Sequence, residues 1–338
     1  MTDLAAADRD RPSTDADLAG RLEQHRRELT AYSYRMLGSG FEAEDAVQET
    51  MVRAWRALDQ FEGRASLRSW LYRIATNVCL DMLKSRERRA RPMELSPAQT
   101  ANAPLGDPLS EATWLQPYPD GRLLPTNSDP AETAVLRESV SLAFLAVLQH
   151  LPPRQRAVLI LREVLQWTAA EVAELLDTTV ASVNSALQRA RSTLSEQRTA
   201  ITEEPPAGEA GRPADDAQQL LLDRYVEAFE RYDMVGLVSL LHEDATLSMP
   251  PYDLWMRGPK EITGWMLGTG ADCRGSRLIQ TAANGSPAFG QYRVDPAGGY
   301  APWSLQVVEI HQGQVIALNA FLDTASLFPL FGLPTHLS

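Results

Sequence analysis

The chain has 338 residues, 44% hydrophobic and 22% charged, with 32 lysines and arginines against 44 aspartates and glutamates and a formal net charge of -12. That length suits two or three domains of ordinary size, and its two cysteines, Cys79 and Cys273, lie far apart without metal-like neighbours, so neither a disulfide framework, a metal site nor a cofactor is expected. The opening MTDLAAADRDRPSTDADLAG is polar and acidic, unlike an export signal, and no apolar run approaches membrane-spanning length, so the expectation is a cytoplasmic protein that does not engage membranes.

Charge is unevenly divided along the chain. Residues 1–92 hold 16 basic and 15 acidic side chains, 93–136 hold 1 and 6, 137–200 hold 7 and 6, and 201–338 hold 8 and 17. Acidity therefore concentrates in the middle and the C-terminal third, which are poor candidates for binding a polyanion.

After a start to Ala19 that is expected to be disordered, Leu22, Leu29, Tyr32, Met36 and Leu37 supply the apolar stripe of a helical region that Gly38 and Gly40 break. FEAEDAVQETMVRAWRAL begins a second helix, with acidic residues near its N-terminal end to complement the dipole. Ala43, Ala46, Val47, Met51, Ala54, Trp55 and Leu58 form its expected core stripe. Asp45, Gln48, Glu49, Arg53 and Arg56 fall on other faces, as solvated surface or as a docking face for a protein partner. A loop from Asp59 to Ala65 follows, in which Phe61 is either a core plug or an exposed base-contacting aromatic, and Ser66 is a suitable N-cap.

The stretch from Arg64 to Arg91 carries eight basic side chains against two acidic ones. Leu67, Trp70, Leu71, Ile74, Val78 and Leu83 recur at helical spacing, so this is an amphipathic helix with a basic outer face. Trp70 and Tyr72 among the arginines are the kind of pairing that stacks unpaired bases beside phosphate contacts. Cys79 falls in the apolar part of the helix, as a small core residue.

From Arg91 to Pro130, eight prolines exclude long helices and mark an interdomain linker. Within it, Trp114, Leu115, Pro117 and Tyr118 are too apolar for a free tether, and a neighbouring domain is the nearest surface for them.

Residues 131–200 predict a compact helical domain. Val140 to Leu151 form an apolar helix stopped by Pro152-Pro153, and Arg154-Gln155-Arg156 leads into AVLILREVL. Thr168 caps a short helix packed through Val172, Leu175 and Leu176. Asp177 tolerates the left-handed conformation of a tight turn, and Thr179 caps the next helix. That helix buries Val183, Leu187, Ala190 and Leu194 and leaves Ser182, Asn184, Ser185, Gln188, Arg189 and Arg191 outside. The pair is a helix-turn-helix whose second helix is rich in base-edge and phosphate donors.

The order AEDAVQETMVRAW, RASLRSWLYRIATNVCLDMLKSRERR, linker, LPPRQRAVLILRE and VNSALQRARSTL resembles an extracytoplasmic-function sigma factor of bacterial RNA polymerase, over about residues 21–198. The resemblance implies two partners, core RNA polymerase and promoter DNA. It places Asp45, Gln48, Glu49, Arg53 and Trp55 on the helix that binds the clamp of the largest polymerase subunit, and sends Arg154 to Arg156 toward the flap. Phe61, Arg64 and Ser66 fall in the loop that captures a base flipped from the minus-ten element. Arg68, Trp70, Arg73 and Asn77 then contact the melted strand, with Lys84 to Arg91, Arg88 among them, following its backbone. Thr179, Ser182, Asn184, Ser185, Gln188 and Arg189 read the minus-thirty-five element in the major groove, and the linker runs through the polymerase cleft. Where many relatives have Gly at the turn this chain has Asp177, and Asn184 and Ala186 replace basic residues, which implies fewer phosphate contacts and a smaller salt dependence.

Beyond a linker at 201–213, residues 214–338 alternate helices and strands. Leu220, Leu221, Tyr225 and Phe229 mark one helix, Leu237 to Leu241 a second and GPKEITGWMLG a third. SRLIQTAA, AFGQYRVD and PWSLQVVEIHQGQVIALNAFLD are strands, with a hairpin at Gln312-Gly313. This pattern resembles the SnoaL-like branch of the NTF2-like α+β cone. The expected fold is thus multidomain: two all-α sigma domains, at 20–92 and 131–200 around a linker at 93–130, and a C-terminal cone. A cone of this kind usually has a pocket, and His242, Asp244, Tyr252, Trp255, Trp265, Asn284 and Trp303 are its candidate lining. They form no complete catalytic set. Two functions compete: a non-enzymatic sigma factor regulated in cis by its C-terminal domain, or a sigma-like DNA-binding protein fused to an active isomerase or cyclase. A small-molecule ligand of the C-terminal domain is a partner class for either.

Overall fold

A computed structural model describes residues 20–58, 61, 66–84, 88–125, 130–201 and 215–338. Arg64 and the expected disordered start lie outside these residues. Helix α1 (Arg26–Leu37) ends where Gly38 adopts φ 72°, and Ser39 then caps α2 (Gly40–Arg56) by accepting from the Glu42 amide. Ser66 caps α3 (Leu67–Met82) by accepting from the Ser69 amide, as expected. Leu29, Tyr32, Met36, Val47, Leu71 and Ala75 are the fully buried centre of this three-helix unit. Both cysteines are buried free thiols.

Among its described residues the linker contains only short helical turns, at Pro92–Glu94, Glu111–Thr113 and α4 (Asp120–Leu123). Helix α5 (Pro130–Glu138) starts on the last residue of the expected linker. The next apolar helix opens at Leu142 rather than Val140, because Ser141 caps α6 (Leu142–Gln149) through the Phe144 amide. Helix α7 (Pro153–Leu159) runs into a π-turn at Ile160–Val164. The capping box of Thr168 and Glu171 starts α8 (Ala169–Leu175), Asp177 takes φ 50° in the turn, and α9 (Val180–Ile201) follows. The helical units on either side of the linker share one core, which includes a ring contact of 5.0 Å between Tyr72 and Trp167.

In the C-terminal third, α10 (Asp215–Glu230) and α11 (Met234–Val238) precede a six-stranded sheet. Its strands are β1 (Leu241–Ser248), β2 (Trp255–Arg257), β3 (Arg277–Ala283), β4 (Ser286–Val294), β5 (Tyr300–His311) and β6 (Gln314–Phe321), in the order β2-β1-β6-β5-β4-β3. Only β1 and β6 pair in parallel. Both two-residue hairpins, Asn284-Gly285 and Gln312-Gly313, have positive φ at each position, the twist-matched turn for adjacent strands. One face of the sheet packs on α10 and on α12 (Pro259–Leu267) through Tyr225, Phe289, Ile262 and Trp265. The other face carries α13 (Thr324–Leu330) and also meets Leu142 of α6. The second expected helix stops at Val238 and Leu241 opens β1, so His242 and Asp244 belong to a strand.

Candidate nucleic-acid interface

Helix α9 presents the face that its spacing predicts. Val183, Leu187 and Ala190 are buried, while Thr179, Ser182, Asn184, Ser185, Gln188 and Arg189 are all exposed. Thr179 Oγ1 accepts from the Ser182 amide at 3.1 Å, which fixes the start of the helix. Six polar side chains within three turns can engage base edges and phosphates of a duplex.

Helix α3 is different. Phe61 packs on Trp70 at 5.0 Å between ring centroids, so the loop aromatic and the first-turn tryptophan form one half-buried cluster. Arg68 donates to Glu28 at 2.8 Å and lies 5.2 Å from the Tyr72 ring and 5.4 Å from the Trp167 ring. Partial burial works to lower its pKa, yet the Glu28 carboxylate and Tyr72 hold it above the ordinary arginine value. The Arg73 guanidinium donates to the Glu174 carbonyl near the end of α8. Asn77 and Lys84 are exposed, the latter bonded to Asp81 at 2.7 Å. Further on, Arg88 bridges to Glu94 at 2.7 Å and His150 at 2.6 Å. The expectation that basic residues up to Arg91 follow a DNA backbone is corrected here. Arg89 is buried on Glu42 and the Glu111 and Trp114 carbonyls, and Arg91 is buried as well.

On α2, Asp45, Gln48, Glu49 and Arg53 are exposed, with Glu49 and Arg53 paired at 2.7 Å. Trp55 does not join the core: it is 46% exposed and adjoins Val52 in a groove with Leu22, Gln48, Met51 and Arg56. An exposed tryptophan in a rim of polar side chains has the composition of a protein-docking anchor. Arg154 is exposed, whereas Arg156 is buried and bonds the Met36, Gln149 and Leu151 carbonyls and Gln149 Oε1. Burial lowers its pKa to about 10, so it stays charged near neutrality.

These surfaces lie in two segments that match known families: residues 22–89 match Sigma-70 region 2, and residues 141–194 match Sigma-70 region 4. Over 331 residues the chain is 44% identical to the ECF RNA polymerase sigma factor SigG of Mycobacterium tuberculosis, covering 95% of this chain and 85% of that protein. The chain belongs to the extracytoplasmic-function sigma factors. As such it binds core RNA polymerase and directs promoter-specific transcription initiation. The sigma factor is also 29% identical to SigJ of the same organism over 254 residues, 73% of this chain and 71% of that one. The crystal structure of SigJ shares the fold, with a TM-score of 0.58 at 22% identity, covering 94% of this chain and 99% of SigJ. That overlap extends through the C-terminal domain.

In the sigma factor, Trp114, Leu115, Pro117 and Tyr118 are all buried. The linker docks on α1 and α2 where two glycines leave room. A Cβ at Gly38 would meet Leu115 at 2.7 Å, and one at Gly40 would meet the Tyr118 ring. Asn284, expected in a pocket of the cone, instead joins all three parts of the chain. Its Oδ1 accepts from the Tyr118 amide at 3.0 Å, and its Nδ2 donates to Tyr34 Oη and to the Val140 carbonyl, each at 2.7 Å. Beside it, the Gly285 amide donates to Asp120 at 2.8 Å; burial raises the Asp120 pKa, against the pull of that amide and Arg137. The turn signature Asn-Gly in TAANGSPAF is a signal for the hairpin that presents this side chain, and sequence reasoning missed it.

The other candidate pocket residues are not brought together. His242 and Asp244 sit on β1, with the Asp244 amide donating to His242 Nδ1. Trp255 donates its indole N–H to the Ser96 carbonyl of the linker at 2.8 Å, and Tyr252 is half-buried nearby. Trp303 lies under Arg293 at 3.3 Å, and Trp265 is core. The cone holds a buried polar chain instead, from Tyr225 through Gln306 and Gln291 to Ser276 and Ser304. Among the described residues no metal-ligating cluster occurs, and no helix is long and apolar enough to cross a membrane.

Proposed function

We propose that this sigma factor rests in a closed arrangement, held by its linker and C-terminal domain, in which Arg68 and Arg73 of the minus-ten surface stay engaged until the parts separate on core polymerase. The division of labour follows residues 20–92 for polymerase and minus-ten binding, 93–130 as linker, 131–200 for minus-thirty-five binding and 214–338 as a cis-acting regulator. Asp45, Gln48, Glu49, Arg53 and Arg154 are assigned to polymerase, with Trp55 as anchor. Phe61, Arg64, Ser66, Arg68, Trp70, Arg73, Asn77, Lys84 and Arg88 are assigned to the minus-ten strand, and the exposed polar set of α9 to the minus-thirty-five duplex. The observation that carries the reading is Asn284. One buried amide ties Tyr34, Tyr118 and Val140 together, and separation would cost the Tyr118 amide and the Val140 carbonyl this buried partner. The C-terminal domain acts by contact, without catalysis, since its acid/base candidates point to no shared site. The factor works in the cytoplasm, where its polymerase is.

Deletion of residues 202–338 tests this. The truncated chain is expected to bind core polymerase and to give altered output from the cognate promoter in a reconstituted reaction. Transcription equal to that of the full chain at equal concentration would defeat the cis-regulatory reading. Turnover of a ketone substrate by the full chain would restore the isomerase or cyclase alternative.

A further inference from the structure

A cavity of about 740 Å³ lies at the junction of α2, the linker and the α6–α7 corner, and of its lining only Arg88 belongs to the surfaces above. Its volume falls within the range of small-molecule sites. Leu37, Phe41, Leu83 and Leu151 provide apolar wall, and three arginines, Arg88, Arg89 and Arg156, border the same space. Two carboxylates also border it, and both are engaged: Glu42 by Arg89 at 2.6 Å, and Glu111 by the Gln116 side chain. Arg156 is 4% exposed and bonds neutral oxygens through its two terminal nitrogens, while its Nε has no partner. Gln149, at 5% exposed, also lines the cavity and has an unpartnered Nε2. Buried donors without acceptors are costly, and a buried guanidinium without a carboxylate more so. The chemistry missing from the cavity is that of an anion rich in acceptors, with an apolar ring or chain to lie against Phe41 and the leucines.

We propose that this cavity binds an organic phosphate of nucleotide size, with its phosphate oxygens toward Arg88, Arg156 and Gln149 and its ring on the apolar wall. A phosphate offers three or more acceptor oxygens against the two of a carboxylate, so it can engage more donors at once. The walls come from both sigma regions and the linker, so a bound phosphate clamps the closed arrangement; this regulatory part rests on the closed-form reading above.

Calorimetry on the full-length chain at physiological salt, with ATP, GTP and inorganic pyrophosphate as probes, tests the site. The expected result is saturable, equimolar binding of at least one nucleotide. Arg88→Ala and Gln149→Leu should each weaken it, by about tenfold for the charged contact and less for the neutral one. Absence of saturable binding by all three probes overturns the proposal. So does binding lost in Arg88→Ala but unchanged in Gln149→Leu, which would place the anion on the exposed basic surface, or binding unchanged in both. The measurement needs no polymerase, so it fails separately from the closed-form reading. Nucleotide binding by a chain whose truncation leaves transcription unaltered keeps the site and discards the clamp, whereas altered transcription without nucleotide binding discards the site alone.

Discussion

Helices α9 and α3 are both amphipathic, and both carry polar or basic outer faces, yet one is open and the other is occupied. Ser182, Asn184, Ser185, Gln188 and Arg189 of α9 face solvent. In α3, Arg68 is held between Glu28, Tyr72 and Trp167, and Arg73 is bonded to the Glu174 carbonyl. Arginines engaged in this way cannot release counterions from a phosphate backbone at the same time. The contrast teaches that the polar face of α9 is open in the free protein, whereas Arg68 and Arg73 of α3 are already engaged within it; on the proposed roles, the minus-ten side is the one that must be released.

The sharpest way to break the contrast is to remove the Asn284 amide while keeping its backbone. Asn284→Gly preserves the left-handed turn, where φ is 56°, and leaves the Tyr118 amide and the Val140 carbonyl without this partner, while Tyr34 Oη keeps its bond to the Gln116 carbonyl. At about 1–3 kcal/mol for each unpaired buried group, the closed arrangement should lose on the order of 3 kcal/mol, a shift of more than a hundredfold toward separation. Hydrogen exchange in α3 and α8 should accelerate, and affinity for a single-stranded minus-ten probe should rise. Unchanged affinity would show that Asn284 is not the latch.

A smaller effect separates the helices themselves. Gln188→Ala should reduce affinity for minus-thirty-five duplex by about 1–3 kcal/mol and leave stability within about 0.5 kcal/mol, because the side chain is exposed. Arg73→Ala and Asn77→Ala should both impair open-complex formation more than polymerase binding, but only Arg73→Ala should also loosen α3 from α8. Equal hydrogen exchange of α8 in the two variants would remove the Arg73–Glu174 bond from the closure. Equal loss of polymerase binding and open complex would count against the minus-ten roles.

Both helices are legible in sequence, since period and caps are local. Ser66, Thr168 and Thr179 cap as their residue types require, and Asp177 takes the left-handed turn. Partners distant in sequence are not legible. Charge counting assigns Arg89 and Arg91 to the surface, and the resemblance sends Arg156 toward the polymerase flap, although all three are buried. Trp55 matches the core stripe in spacing, because a docking anchor and a core residue are both apolar. Asn284 lies 250 residues from Tyr34 and 144 from Val140, and no local pattern announces either bond. Gly38 and Gly40 are readable as helix breakers, but their second role, leaving room for Leu115 and Tyr118, needs the folded linker.

The mildest test concerns Arg88, at the far end of the basic stretch that α3 begins. Its partner Glu94 also accepts from the Arg91 amide at 2.7 Å and contacts His150 at 2.7 Å. Burial alone would raise the Glu94 pKa, but the Arg91 amide and the Arg88 guanidinium outweigh it and hold the carboxyl below its ordinary value. A folded-state value below the unfolded one means that the stabilisation is complete above the ordinary glutamate value of 4.5 and is lost as pH falls through the lower, folded value. Thermal unfolding of the wild type should therefore weaken from about pH 4.5 downward by more than that of Glu94→Gln, which lacks the titrating group. At neutral pH the same substitution should cost about 1 kcal/mol, one charge-assisted bond, and should leave Arg88 available to DNA in the way that Arg189 of α9 already is. Parallel unfolding curves for the two proteins across the acid range would show that the Arg88–Glu94 tie does not help to keep this end of the minus-ten surface closed.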